Sequence, residues 1–584
     1  MRFFKSLAGK ITIGVVLAGG ITALVIYYIY FKKTYEHLKV IPDTTYFVAT
    51  MNPMDLHDKL NWDEFVKLEM MEAMRKGMPD EFRTVYDKFV DDPMSLGIAL
   101  KNDIYFFAYK KGSKDLLGLS MSIHKRSSFE ELLETFGFTS SIKEGDGYKY
   151  IYPDAQGFVG WDKSTLLLVM SPNGADDGEM EEEYKRLSSL DEKEQLKNSN
   201  ANFSAWLEME KDIKMWGNST PWAEYLAYTL NLESKGMMSY SEEEMKDNYM
   251  YWSFNFEKGQ IVMEMEMVPN KINAEKQQVD KVLRKVDGKI FELIPGKDLM
   301  AAGAMGLNIN AMIEVITASL PPGFDQILAQ APKEIGMSHK DLMEVIKGDF
   351  ILGFYGVSPV EKQRKVGGTE DFDDFFDEEE MEEFAKEMES LQEQIDSSET
   401  ETYIDYNNPN LVIAFTVNQA TMKKLIDIGI EKMPEDVKAS GDVGIEFIDE
   451  KYYKIASLLN VYMGFKDDVG YITTNEEYIK EVVNGTFKQE KPIETEVKEI
   501  LESGFAAGYL NLEMKEYPET FIQMLSDNIG EYEVVYIQEA TDILKDAMIV
   551  ANGYKATWTM RLTKNENYAI YEIVKKINDI TFKK

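Results

Sequence analysis

Four histidines, His37, His57, His124 and His339, are the only imidazoles this chain offers to a general base or a metal ion. None stands at HExxH or HxH spacing, which would turn two ring nitrogens toward one ion. No GxSxG nucleophile elbow, phosphate-cradling GxxxxGK[ST] or dinucleotide-binding GxGxxG occurs. Ser140-Ser141-Ile142-Lys143 matches SxxK and Ser526-Asp527-Asn528 matches SDN, two signatures of penicillin-binding enzymes. That chemistry needs the serine at a helix start and the lysine one turn later. Here the SxxK runs straight into Glu144-Gly145-Asp146-Gly147, which is turn chemistry, and no KTG follows the SDN, so both matches read as coincidence.

Met263, Met265 and Met267 repeat at the spacing of one strand face, and a Met-x-Met pattern can hold copper(I) through soft thioethers. The plainer reading packs the methionines in a core while Glu264 and Glu266 face water. Residues 367–402 hold a run of carboxylates, but an EF-hand loop begun at Asp371 places Phe375 and Phe376 at its fifth and sixth positions, where an oxygen ligand and a glycine are required. This segment reads as an acidic surface loop with a helical stretch near Glu378–Gln394. Its Phe372, Phe375, Phe376 and Phe384 give it a second reading as a partner-docking element. With no cysteine in the chain, thiolate nucleophiles, disulfides and iron–sulfur clusters are excluded. No catalytic, cofactor-binding or metal-ligating residue is therefore singled out, and no cofactor is expected.

The elements that would position any site begin with an anchor. Ile11 to Phe31 carries no charge and is long enough to cross a hydrocarbon core of about 30 Å, with Tyr27, Tyr28, Tyr30 and Phe31 gathered at one interface. Arg2, Lys5 and Lys10 precede it and Lys32 and Lys33 follow, a bias toward a cytoplasmic residue 1–10 segment and an extracytoplasmic bulk. The apolar run continues past the length of a cleaved signal, so an uncleaved signal anchor is expected. The 102 acidic and 64 basic residues give a net charge of −38, which repels phosphate backbones and argues against nucleic acid as a partner.

Beyond the anchor the chain echoes itself. Ile41-Pro42 and Ile294-Pro295 each open an apolar run that reaches an Asn before a helical pattern. The stretches 94–109 and 340–355, 118–133 and 411–426, 148–164 and 452–468, 205–210 and 508–513, and 252–264 and 558–570 follow as partners in the same order. The last pair reads as a hairpin in both cases. The spacing between partners widens once, by 47 residues, between Tyr355 and Leu411, which assigns an insertion to about 358–406. Ser127 and Glu130 suggest a capping box, and short turns between strands imply antiparallel sheets with helices packed on them. The expected fold is α+β: two tandem copies of an antiparallel-sheet-plus-helices unit, 41–290 and 293–584, behind one transmembrane helix.

The opening Ile41-Pro42-Asp43, the strand around Phe47-Val48-Ala49 and Asn52 resemble the Bacteroidota envelope proteins of domain of unknown function 4836. The resemblance implies an envelope location and no known activity. The reading reached is a non-enzymatic, membrane-anchored envelope protein at the bacterial inner membrane, facing the periplasm, that scaffolds or binds a protein partner. The alternative is an extracytoplasmic hydrolase using paired carboxylates, for which 102 acidic residues leave no pair distinguished.

Replacing 367–402 with a short Gly/Ser linker is expected to leave the fold intact, because a long surface loop costs only about 0.6 kcal/mol per doubling of its length. Thermal unfolding checks this: a fall of more than about 8 °C would place the segment in the core, since about 1 kcal/mol moves a domain of this size by only 2–4 °C.

Overall fold

The computed structural model describes residues 36–582 except 155–156, 175–176, 225, 227, 229–240, 320–335, 338–344, 366–399, 433–443 and 457–459. The anchor at Ile11–Phe31 and the body of the acidic segment lie outside the described residues. No helix among the described residues is long and apolar enough to cross a membrane.

Among the described residues the chain is α+β and is organised around one 20-stranded sheet. Ten strands come from its first half: β1 (Thr45–Met51), β2 (Ile104–Lys111), β3 (Lys114–Ser122), β4 (Lys143–Glu144), β5 (Lys149–Asp154), β6 (Gly157–Trp161), β7 (Thr165–Met170), β8 (Ile213–Asn218), β9 (Tyr249–Glu257) and β10 (Gln260–Val268). The second half supplies β11 (Ala301–Gly306), β12 (Ile346–Lys365), β13 (Thr400–Val417), β14 (Gly444–Ile448), β15 (Tyr452–Ala456), β16 (Val461–Lys466), β17 (Val469–Thr473), β18 (Ala506–Asn511), β19 (Leu544–Asn552) and β20 (Lys555–Leu562).

Every pairing between these strands is antiparallel. Across the first half the strands lie in the order β4-β5-β6-β7-β3-β2-β1-β8-β9-β10. Continuing outward, the second half runs β20-β19-β18-β11-β12-β13-β17-β16-β15-β14. The seam is β10 against β20, with seven residue pairs from Gln260↔Arg561 to Glu266↔Lys555.

Helices bury the wings of the sheet on both faces. In the first half, Val48, Tyr105, Phe107, Leu167, Val169 and Trp216 of the sheet pack beneath Phe203 and Trp206. On the other face, Ile104, Met121 and Leu166 meet Trp62, Phe65, Phe89 and Phe129. The second half repeats this with one cluster around Ile351, Ala414, Tyr471 and Ile479 and another around Phe415, Val417 and Met463. The C-terminal helix Ala569–Phe582 crosses back to the first half: buried Asn578 accepts a hydrogen bond from the Met70 N–H at 2.9 Å, and Ile570 and Val574 join the cluster around Trp62.

Local chemistry explains the turning points. Asn52 caps the helix Pro53–Leu60 by accepting from the Asp55 N–H at 3.2 Å, and Asn308 accepts from the Ala311 N–H at 3.2 Å at the start of Ile309–Ser319. Lys214 is buried in β8, where its ammonium donates to the carbonyls of Trp206, Leu207 and Met209 at 3.1, 2.6 and 2.7 Å. It thereby satisfies the exposed C-terminal end of the helix Ala201–Leu207.

Four sequence expectations change. The helix after β3 starts at Arg126, with Lys125 at its cap making no side-chain bond, so Ser127 and Glu130 form no capping box. Glu130 instead accepts from Arg126, Lys149 and the Trp161 indole at 2.7, 2.9 and 3.2 Å. Residues 558–570 are not a hairpin, because β20 ends at Leu562 and the C-terminal helix follows; the hairpin equivalent to β9–β10 is β19–β20. Residues 205–210 end a helix whereas 508–513 lie largely in β18, since similar apolar composition does not fix backbone state. The flanks of the assigned insertion are strand: the β12–β13 ladder continues through Val360↔Asp405 to Lys365↔Thr400, because the two arms pair with each other well beyond the body of the sheet.

The seam is internal, so both edges of β20 are occupied and its interior cannot give up a ladder N–H. Thr557→Pro is expected to lower stability by about 3 kcal/mol or more, read from chemical denaturation of the whole chain. A loss below about 1 kcal/mol would mean that β20 is not an interior strand.

Candidate functional site

Side chains alternate across a strand and directly opposed residues share a face, so the registers define what each face of the sheet presents. One row runs Leu352, Gly303, Gly508, Ile549, Trp558, Met263, Phe254, Ile213 and Met51 from β12 to β1. The next row on that face runs Met305, Ala506, Ala551, Ala556, Met265, Trp252, Met215, Ala49 and Phe106. No residue in either row is polar. On the opposite face the matching row holds Lys214, Ser253, Glu264 and Thr557.

A face of this composition would ordinarily be buried, yet it is open in part. Leu352 is 46% exposed, Met267 43%, Leu510 42%, Phe106 39% and Met305 38%. Gly303 lies in the floor between Leu352 and Gly508. A Cβ built there would meet only the Ala507 carbonyl oxygen, at 3.9 Å, so packing does not require the glycine. Its effect is to leave the face shallow at that point. The helix Glu531–Thr541 carries an exposed i, i+3, i+4 stripe of its own, Tyr532, Val535 and Tyr536.

The methionines of β10 accordingly lie on this open face and are not sealed in a core. Glu264 is half-buried on the opposite face, ion-paired with Lys211 and, at 2.6 Å, with Lys555. Burial works against its charge, but the hydrogen bonds from both lysines hold it below the usual carboxylate range. Glu130, Glu183 and Glu476 are held down in the same way by Arg126 and Lys149, by Arg186 and Lys111, and by Lys480. Among the described residues every Asp or Glu with a shifted pKa is shifted downward, whereas a glycosidase-type general acid needs the opposite.

The three described histidines belong to no shared site. His37 is buried, its Nε2 2.9 Å from the Asp103 carbonyl oxygen and its Nδ1 2.7 Å from the Ser122 hydroxyl. His57 is buried in the helix Pro53–Leu60 with Nδ1 2.9 Å from Asp58. The His124 N–H donates to the Gly97 carbonyl at 2.8 Å just past β3, and His339 lies outside the described residues. No group of three or more His, Asp or Glu able to hold a metal occurs among the described residues. Ser140 falls in the 3-10 turn Thr139–Ser141 and Lys143 in β4, not one turn apart on a helix, and Ser526 lies near the end of the helix Glu519–Ile529 in the other half.

Sequence reading caught the alternation in Ile261–Met267 alone. The same signal, Met250, Trp252, Phe254, Phe256 and then Ala556, Trp558, Met560, was available in β9 and β20.

The family described as Domain of unknown function (DUF4836) matches residues 37–569. No curated protein matches the chain. Among solved structures, crystal form I of TP0453 is 11% identical over 40% of this chain and 80% of that chain, with a TM-score of 0.23; crystal form III is 13% identical over 43% and 88%, with a TM-score of 0.24. Likeness at this level leaves fold and function to be read from the chain itself.

Burial pushes the His37 imidazole below its ordinary pKa, against the opposing pull of Asp103. The unfolded chain therefore takes up a proton near pH 6.5 that the folded chain refuses until lower pH, and stability falls as pH drops below about 6.5. The slope from this one site is at most about 1.4 kcal/mol per pH unit. Denaturation midpoints between pH 7.5 and 5 are expected to show it, and His37→Gln to flatten it; an unchanged slope in the variant would assign the effect elsewhere.

Proposed function

The chain belongs to the DUF4836 family, whose description assigns no activity, and from that premise we propose a non-enzymatic, membrane-anchored envelope protein that binds a protein partner across the apolar face of its sheet. The anchor is Ile11–Phe31, and the described domain lies outside the cytoplasm.

The domain comprises two tandem copies of one antiparallel-sheet-plus-helices unit, 41–290 and 293–584. Support comes from the strand order: β1 to β10 and β11 to β20 follow the same succession of neighbours outward from the seam. It also comes from paired details. The Asp43 N–H donates to the Glu194 carbonyl at 2.8 Å where the Gly296 N–H donates to that of Lys491 at 2.9 Å, and Asn52 and Asn308 cap equivalent helices.

The observation that carries the binding reading is the uninterrupted apolar rows with Leu352, Met305 and Phe106 exposed on them. Eight strands from β1 to β11 at about 4.8 Å spacing, each giving about three residues to the face, span about 600 Å². That approaches the ~800 Å² each partner contributes to a standard protein interface. The face is broad and partly open, unlike the enclosing cavities that take small molecules, and broad apolar patches mark interaction sites.

A photo-crosslinking residue at Met305 is expected to capture one envelope protein in intact cells, and the same residue at Thr559 on the opposite face is not. Gly303→Leu should abolish the capture while unfolding stays within about 0.5 kcal/mol of the native chain, the usual range away from tight packing. Equal capture from both faces, or capture unaffected by Gly303→Leu, would sink the reading.

A further inference from the structure

We propose that the second half of the chain binds a small zwitterionic amino compound, an amino acid or dipeptide, in a cavity between the 491–497 segment and the β18–β19 pair. The cavity holds about 470 Å³, within the range of small-molecule sites. It is walled by charge: five carboxylates and three lysines line it.

Most of these charges already have partners. Lys297 pairs with Glu490 at 3.0 Å, Lys491 with Glu494 at 3.2 Å and Glu513 with Lys515 at 2.6 Å. Asp546 is 2% exposed and takes both arms of Arg561, at 2.7 and 2.5 Å. Three charges remain. Lys545, half-buried, has no side-chain hydrogen-bond or ion-pair partner among the described residues. The carboxylates of Asp298 and Glu516 lie at the exposed rim without an ion-pair partner among those residues, Glu516 accepting only a long hydrogen bond from the Asn511 amide at 3.5 Å. One unpaired cation inside and two carboxylates without an ion pair at the rim suit a ligand carrying a carboxylate and at least one protonated amine. The surplus of carboxylates favours a second amine on that ligand.

The first half shows that the scaffold does not require this space. On β8 and β9, Asn218 faces Tyr249, and Trp216 stands two residues before Asn218; on β18 and β19, Asn511 faces Asp546, and Tyr509 stands two residues before Asn511. Trp216 is fully buried with its ring 5.7 Å from that of Tyr249, and the Tyr249 hydroxyl is 3.3 Å from the Asn200 amide. Aromatic rings thus fill in one half the place that Tyr509 and Asp546 leave open in the other. This comparison rests on the tandem-copy reading; the cavity and its open charges do not.

Calorimetric titration of the detergent-solubilised full chain with L-alanyl-L-lysine and with its C-terminal amide tests the site. The dipeptide is expected to bind once per chain and the amide about tenfold more weakly, because it lacks the carboxylate that meets Lys545. Lys545→Met should weaken the dipeptide by the same factor and leave the amide unchanged. Tyr509→Trp, which refills the cavity as Trp216 does, should abolish binding without lowering the unfolding temperature. No heat from the dipeptide at about millimolar concentration, or native affinity in Lys545→Met, overturns the proposal. If Tyr509→Trp unfolds the chain while Lys545→Met behaves as described, the site stands and the tandem comparison loses its support.

Discussion

Both β10 and β20 end a run of ten strands, and a terminal strand presents a row of unpaired N–H and C=O groups to whatever comes near. An edge with the sequence of β10, four large apolar residues alternating on one face, would recruit other chains. Pairing β10 with β20 closes that hazard within one molecule. The remaining edges are two-residue β4 and five-residue β14, the first exposed throughout and carrying Lys143 and Glu144. Short, charged edges are a common way for a large open sheet to stay monomeric.

The seam also decides what the sheet can do. Residues opposed across β10 and β20 share a face, so the apolar set of one half continues into that of the other without a break at Met263 and Trp558. Helices seal the wings, where Trp62, Phe65 and Phe89 cover one end and Met422 and Leu425 the other. Between the wings the floor is made partly of Gly303, Gly508, Ala506 and Ala551, which bury little area and leave a depression flanked by methionine and leucine. Methionine suits such a surface, since its unbranched side chain adapts to an incoming shape at small conformational cost.

The opposite face follows a different logic. There the central strands carry charge, and each buried charge is matched. Lys214 closes a helix terminus, Glu264 bridges Lys211 and Lys555, and Asp546 takes Arg561. Removing one member of such a set strands its partner in a low-dielectric setting, which makes these groups structural fixtures. Half-buried Lys545, unpaired beside Tyr509, departs from that rule, and this distinguishes the cavity from the ion pairs around it.

The sequence by itself determined the fold class, the family and the strand-to-helix passages at Asn52 and Asn308, because alternation and turn chemistry are local properties, but it placed a capping box at Ser127 that the helix start at Arg126 does not form. It also excluded thiol chemistry through the absence of cysteine and separated the histidines by spacing. It misread 205–210 and 558–570, where short apolar runs look alike in helix and strand and only neighbouring chain decides between them. Whether Met263, Met265 and Met267 faced a core or an open surface was beyond it as well. Period-two alternation says that two faces differ, but not what covers either one. That was settled by the long-range pairing of β10 with β20, residues nearly three hundred positions apart, and by helices packing on the wings and leaving the centre partly covered.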